Sequence, residues 1–356
     1  MKLHLVGGFL GSGKTTAIIQ AAKAFMGQGH RVGVITNDQG RYLVDTAFFR
    51  LSSIPAMEVT GGCFCCNYDD LDEKLAKLVE SARPDVIFAE SVGSCADVVA
   101  TVVKPLLAMR QDGLAPSSFS VFADSRLLYR RLLEQEMPFS EDVVYIFDKQ
   151  IEEAGLLVVN KTDLVSGEVL DSVRRLLAAR YPQKSCLFQS SLTETGVHPW
   201  IESIQASVME AGGQALEIDY SRYANGEAQL AWYDEEIVLR FPSKNGRSLL
   251  QQILQRVLDE IACRKAGIGH LKFVIQDGSG GVKVSFPAIM EPGDLEQVPE
   301  IAAGEVSLLI NARVEMPAED LRAVMREAIE ASGVEYDIKN EAAFHPSPPE
   351  PTHRIQ

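Results

Sequence analysis

Cys63, Cys65 and Cys66, within Gly61-Gly62-Cys63-Phe64-Cys65-Cys66-Asn67, put three sulfurs into four positions. Thiols so close in sequence can converge on one soft or borderline ion, and zinc, cobalt or copper(I) would suit that donor set. Because only three are local, a fourth ligand must be water, a nearby carboxylate or a client's side chain, so the site reads as open and suited to transfer. Packing cysteines and a redox-sensing thiol pair are the two other readings of the same residues. Cys95, Cys186 and Cys263 are isolated in sequence and expected in the core, and the six histidines are scattered.

Gly8-Phe9-Leu10-Gly11-Ser12-Gly13-Lys14-Thr15 matches G-x-x-x-x-G-K-[ST]. The glycines let successive backbone N–H groups face a phosphate, and the start of the following helix adds partial positive charge. Lys14 is expected to bridge the β- and γ-phosphates and the Thr15 hydroxyl to ligate Mg²⁺. The expected nucleotide contacts are therefore Gly8, Gly11, Ser12, Gly13, Lys14, Thr15 and Thr16. Val86-Ile87-Phe88-Ala89-Glu90 is an apolar strand ending in a carboxylate, which places Glu90 near the magnesium shell. Gly93 would let the next loop approach the γ-phosphate.

Leu156-Leu157-Val158-Val159-Asn160-Lys161-Thr162-Asp163 delivers N-K-x-D to the end of a buried strand. Asp163 can accept from guanine N1–H and the exocyclic N2 amine, whereas adenine has neither donor there and would leave the carboxylate unpaired. Guanine is the predicted base. Lys161 would lie along it, Asn160 would tie this loop to the phosphate loop, and Ser191 in Ser190-Ser191-Leu192 would wall the guanine O6 edge.

The elements that must position these residues alternate. Short apolar runs at Lys2–Val6, Arg31–Thr36, Val86–Ala89, Phe119–Ala123, Leu156–Val159 and Cys186–Gln189 read as strands. Amphipathic stretches between them, such as Leu71–Ala82, Asp97–Met109 and Glu168–Tyr181, read as helices. That pattern predicts an α/β fold: a P-loop NTPase domain over 1–210, with a mostly parallel sheet and helices on both faces. A linker is expected over 211–233 and a smaller α+β domain, loosely ferredoxin-like, over 234–339. The latter has strands at Glu236–Phe241, Leu271–Gln276, Val282–Phe286 and Val306–Asn311, and helices at Leu249–Cys263 and Ala318–Ser332. The proline-rich end, 340–356, is expected to be disordered.

The chain has 356 residues, 46% hydrophobic and 23% charged, with a formal charge of −15. Such acidity argues against nonspecific nucleic-acid binding, which rests on clustered Lys and Arg. No apolar run approaches a membrane span, and the glycine loop begins too early for a cleavable signal, so the expected address is the cytoplasm, where thiols stay reduced.

Gly-Phe-Leu-Gly-Ser-Gly-Lys-Thr-Thr, Cys-Phe-Cys-Cys, Glu90-x-x-Gly93 and Asn-Lys-Thr-Asp, in that order, resemble the CobW-like GTPases, relatives of the nickel chaperones HypB and UreG. The likeness covers roughly 1–210. It implies a metallochaperone or metal-insertion GTPase in which nucleotide state controls the C-x-C-C site. By that likeness Thr15 and Asp38, in Thr36-Asn37-Asp38-Gln39-Gly40, sit near Mg²⁺ or the attacking water, and Lys14, Asp38 and Glu90 form the catalytic set. Asp38 stands where many relatives carry glutamate, Arg41 where an acidic residue is common, and the second half lacks their histidine-rich stretch. Tyr220-Ser221-Arg222-Tyr223-Ala224 with Leu230-Ala231-Trp232 resembles segments of relatives encoded near corrinoid enzymes.

The expected ligands are thus GTP, Mg²⁺ and Zn²⁺ or Co²⁺. The expected partners are a client metalloprotein or corrinoid protein and a second copy of the chain in a homodimer. The rival functions are a P-loop small-molecule kinase, and a GTPase switch assisting cofactor delivery to a corrinoid enzyme with the cysteines as redox sensor or structural site.

Overall fold

A computed structural model describes residues 1–38, 49, 52–110, 114, 116–207, 215–241, 245–276, 281–291, 294–301 and 304–356; of Asp38 it describes the backbone. The chain divides into two compact units. The first comprises Met1–Gln39, Ser52–Gly226 and Pro349–Gln356, and the second Gly40–Leu51 and Glu227–Pro348.

The first unit is built on β1 (Lys2–Gly8), β2 (Val32–Asp38), β3 (Ala56–Thr60), β4 (Val86–Glu90), β5 (Pro116–Asp124), β6 (Leu156–Asn160) and β7 (Ser185–Phe188). They form a seven-stranded sheet in the order β3-β2-β4-β1-β5-β6-β7, with every pairing parallel. Strands buried on both sides must be apolar throughout, which is why β4 reads Val-Ile-Phe-Ala and β6 Leu-Leu-Val-Val before their polar ends. From β1 the chain runs outward in one direction to β2 and β3 and in the other through β5 to β7. Right-handed crossovers then put the connecting helices on opposite faces. The same reversal opens a crevice beyond the carboxyl ends of the central strands, where such sheets bind their ligands.

Register brings the expected site residues to that edge. Glu90 pairs with Val6 and with Thr36, Gly8 with Phe122, and Asp124 with Asn160. Each strand predicted in this unit is present, and β1, β2, β4, β5 and β6 run one or more residues past their apolar cores. Their functional polar ends are therefore held by the ladder itself.

The second unit is a five-stranded antiparallel sheet, β10-β9-β11-β8-β12, of β8 (Leu230–Phe241), β9 (Ile268–Gln276), β10 (Gly281–Pro287), β11 (Gly304–Glu315) and β12 (Glu335–Phe344). Without β10 the order is that of a ferredoxin-type β-α-β-β-α-β unit, and β10 adds a hairpin edge. Helices Gly246–Cys263 and Ala318–Glu330 share one apolar core with Ala231, Tyr233, Ile237, Leu239 and Phe241, the alternate residues of β8 apart from the buried Glu235.

Two boundaries differ from expectation. The linker expected over 211–233 contains helix Tyr220–Gln229 and the start of β8; residues 211–214 lie outside the described residues. The tail expected to be disordered over 340–356 begins as the end of β12, and Pro349–Gln356 packs on the first unit. Proline removes ladder donors without preventing an extended segment from docking through its other N–H groups.

Candidate nucleotide and metal site

The phosphate loop joins β1 to helix Lys14–Gly27, whose N-cap Gly13 has φ 93° and whose first turn carries no acidic residue. Its first N–H groups therefore suit an anion. Gly13 is also required by space, because a Cβ there would collide with the Asn160 amide. Lys14 is buried, and its ammonium donates to the Gly8 and Phe9 carbonyls at 2.7 and 3.1 Å. Ser12 Oγ is buried with no hydrogen-bond partner among the described residues. An orphaned hydroxyl, a buried ammonium and an open helix start on one loop are the donor set a polyphosphate takes. Thr16 is partly exposed in the same first turn.

Thr15 Oγ1 donates to Glu90 Oε1 at 2.8 Å, bringing a hydroxyl and a carboxylate oxygen together as a hard cation such as Mg²⁺ requires. The Asp38 side chain, Gln39, Gly40 and Arg41 lie outside the described residues.

At the base edge, Asn160 is a junction. Its amide nitrogen donates to the Ser12 carbonyl at 2.8 Å and its oxygen accepts from Ser191 Oγ at 2.8 Å. Gln189 Nε2 in turn donates to Ser191 Oγ at 3.0 Å. Lys161 has φ 60°, and Asp163 stands exposed in the short 3₁₀ turn Thr162–Leu164.

Sequence reasoning missed Asp124, the last residue of β5. It accepts from Arg126 Nη2 at 2.7 Å and lies 3.1 Å from Lys161 Nζ. Burial pushes this carboxyl's pKa up, but the Arg126 hydrogen bond and the Lys161 and Arg126 charges outweigh it and hold the group below the ordinary carboxylate range. Ser125 Oγ, donating to the Lys161 carbonyl at 3.0 Å, fixes the same loop. The signal was available: Asp124 ends an apolar strand in the same way as Glu90.

The three sulfurs do converge, all within 4.8 Å of one another. Cys63 Sγ lies 2.7 Å from Cys65 Sγ and 3.2 Å from Cys66 Sγ, with Cys65 and Cys66 3.7 Å apart. The turn is closed by Cys66 N–H and Asn67 N–H donating to the Cys63 carbonyl at 3.0 and 2.9 Å. Asn37 anchors it to the end of β2, accepting from Phe64 N–H at 2.7 Å and donating to the Gly62 carbonyl at 2.8 Å. Cys63 and Cys65 are buried and Cys66 half-buried.

Cys95, isolated in sequence, is not isolated in space. Its thiol joins those of Cys65 and Cys66 in hydrogen bonding to Cys63, and together they hold the Cys63 thiol well below its ordinary pKa. The cost falls on the neighbours: Cys63 drives Cys65 upward and pushes Cys66 up to about 12. A thiol whose pKa is held down by neighbouring thiols suits metal binding, which takes the thiolate form.

Residues 90–97 connect the two halves. Glu90 touches Thr15, and a Cβ on Gly93 would meet Leu10 Cδ2 at 2.7 Å, so this glycine permits close packing on the phosphate loop. Gln150, buried and also missed by sequence reasoning, donates to the Gly93 and Cys95 carbonyls at 2.9 and 2.8 Å. Tyr223 accepts from Ala96 N–H at 3.1 Å and Tyr220 donates to Asp97 at 2.6 Å. The Tyr220-to-Ala224 segment thus clamps the loop after β4.

The family profile described as CobW/HypB/UreG, nucleotide-binding domain, matches residues 2–188, more than half of the chain. The chain belongs to this family. It is 28% identical over 212 residues to a zinc chaperone CobW of Sinorhizobium sp., covering 52% of this chain and 58% of that one. It is 28% identical over 181 residues to the zinc chaperone YeiR of Escherichia coli strain K12, covering 49% and 50%. The chain thus spans about half the length of the curated relatives it matches. Among solved structures, HypB from Helicobacter pylori in complex with nickel aligns at TM-score 0.43 and 15% identity over 59% of this chain and 91% of that one. No described helix is long and apolar enough to cross a membrane.

Proposed function

We propose that this CobW-family protein is a GTP-hydrolysing metallochaperone in which the nucleotide sets how tightly a thiolate site holds zinc. The observation that carries this reading is the run from Glu90 to Cys95: one end touches Thr15 of the phosphate loop, and the other touches Cys63. Two relatives named zinc chaperones favour zinc over the other ions the thiols would suit.

Lys14, the Gly13-to-Thr15 amides and Ser12 bind the phosphates, and Asp163 selects guanine, with Lys161 held by Asp124. Magnesium, when bound, would neutralise phosphate charge, with Thr15 and Glu90 as its protein oxygens. Asp38, at the end of β2, is the candidate for orienting the attacking water. Loss of the γ-phosphate relaxes the Glu90-to-Cys95 run and loosens the sulfur site, so hydrolysis is the release step for a client metalloprotein. The second unit recognises that client.

The test is competitive titration of reduced protein with Zn²⁺ and Co²⁺ in the GTP and GDP states, alongside GTP and ATP binding. GTP over ATP, one ion per chain and tighter zinc with GTP are expected. Equal zinc affinity in both nucleotide states ends the reading.

A further inference from the structure

The segment Pro349–Gln356 is laid across the thiol loop by contacts too specific for loose packing. Thr352 N–H donates to the Cys65 carbonyl at 2.9 Å, and Thr352 Oγ1 donates to the Cys66 carbonyl at 3.0 Å. The Glu350 backbone N–H reaches the Cys66 sulfur itself. His353 packs edge-on against Tyr68, with centroids 5.0 Å apart, at the start of the helix that follows the cysteines.

Arg354 then leaves the thiol loop and fastens to the other cysteine-bearing segment. Its Nε lies 2.7 Å from Asp97 Oδ2, a carboxylate only 1% exposed, and Nη2 donates to the Leu216 carbonyl at 2.8 Å. Ile355 N–H donates to the Ala100 carbonyl at 2.9 Å. Thr352 thus grips Cys65 and Cys66 while Arg354, two residues on, grips the loop two residues beyond Cys95. Half of this grip comes from the strap's own backbone, through the Glu350, Thr352 and Ile355 N–H groups, which another extended chain can reproduce. The other half comes from the Thr352 hydroxyl and the Arg354 guanidinium, and an incoming chain must supply the cation above all, because a buried carboxylate that keeps the Tyr220 hydroxyl but loses its counter-charge is costly.

We propose that Pro349–Gln356 is a displaceable strap occupying the surface where the client docks, and that the client presents an extended segment with a hydroxyl residue followed two positions later by a basic one. With the strap on, the half-buried Cys66 is the thiol it guards; with the strap replaced, the sulfurs face the client. The proposal rests on the metal-transfer reading for its purpose, but the strap's position is testable without any metal.

The experiment compares the full chain with Arg354→Glu and with a chain truncated after Pro348. Three readouts are taken: the rate of thiol reaction with a dithiobis-nitrobenzoate probe, the rate at which a pyridylazo-resorcinol chelator strips bound Zn²⁺, and binding of a labelled Pro349–Gln356 peptide. Both variants should raise the thiol and chelator rates by about tenfold or more, as removal of a local closing contact does. The truncated chain should bind the peptide, which slows both rates again, while the same peptide carrying Arg354→Glu should not bind. Unchanged thiol rates in both variants, or failure of the peptide to bind the truncated chain, overturns the strap. If no chain holds zinc, the metal reading fails while the thiol and peptide results still decide the strap.

Discussion

The Asn160 side chain donates to the Ser12 carbonyl at 2.8 Å, so the loop that presents Asp163 to the base is fastened directly to the loop that curls around the phosphates. Ser191 closes the opposite side of the same amide. Asn160→Ala should therefore weaken GTP binding by roughly ten- to a hundredfold, since it removes a buried pair and leaves Ser191 Oγ without an acceptor. Titration with a fluorescent GTP analogue measures it. An unchanged Kd would mean that the two loops are positioned independently.

Glu90 presents its carboxylate to Thr15 from the end of β4, and its charge is what a magnesium shell would use. Glu90→Gln keeps the acceptor oxygen and removes the charge. GTP binding should survive within a few-fold while hydrolysis falls by about two orders of magnitude, the scale of losing one electrostatic contact made to the transition state. Single-turnover hydrolysis across a magnesium series measures this. Equal losses in binding and rate would make Glu90 a structural strand end instead.

The legible parts of this protein are those where one short sequence carries its own physics. The glycine loop, the apolar strands ending in Glu90 and Asn160, and the sulfurs of Cys63, Cys65 and Cys66 are local patterns, and the sheet brings them to one edge. What sequence alone did not reveal depends on contacts far apart in the chain. Cys95 meets Cys63 only because β4 lies beside β2, and Gln150 reaches the Gly93 carbonyl from a helix fifty-seven positions away. β12 is partly hidden by its polarity: Asp337, Lys339 and Glu341 blunt an edge strand that, among the described residues, pairs with β8 alone.

Cys95 separates the binding part of the metal reading from its coupling part. Cys65→Ser breaks the local triangle and should abolish stoichiometric binding, seen as loss of the thiolate absorption that Co²⁺ gives. Cys95→Ser leaves three local donors, so binding should persist about tenfold weaker. It should also lose its difference between the GTP and GDP states, because the sulfur end of the Glu90-to-Cys95 run is gone. A Cys95→Ser protein that keeps full nucleotide sensitivity would show that coupling takes another route.

Glu153, buried at the end of helix Glu141–Glu153, gives a pH signature for the first unit. Burial, aided by the charge of Asp97, raises its pKa from 4.5 to about 8, against the opposing pull of the Val99 amide, which donates to Oε2 at 3.3 Å, and of Lys184. The folded chain therefore keeps this proton over a range in which the unfolded chain has lost it. The associated stability is complete below pH 4.5 and is lost as pH rises to about 8, at about 1.4 kcal/mol per pH unit within that window. Glu153→Gln cannot ionise, so urea unfolding at pH 5, 6.5 and 8 should show the variant gaining on the parent at each step. A constant difference between the two across the three pH values would mean that Glu153 is already charged in the folded chain.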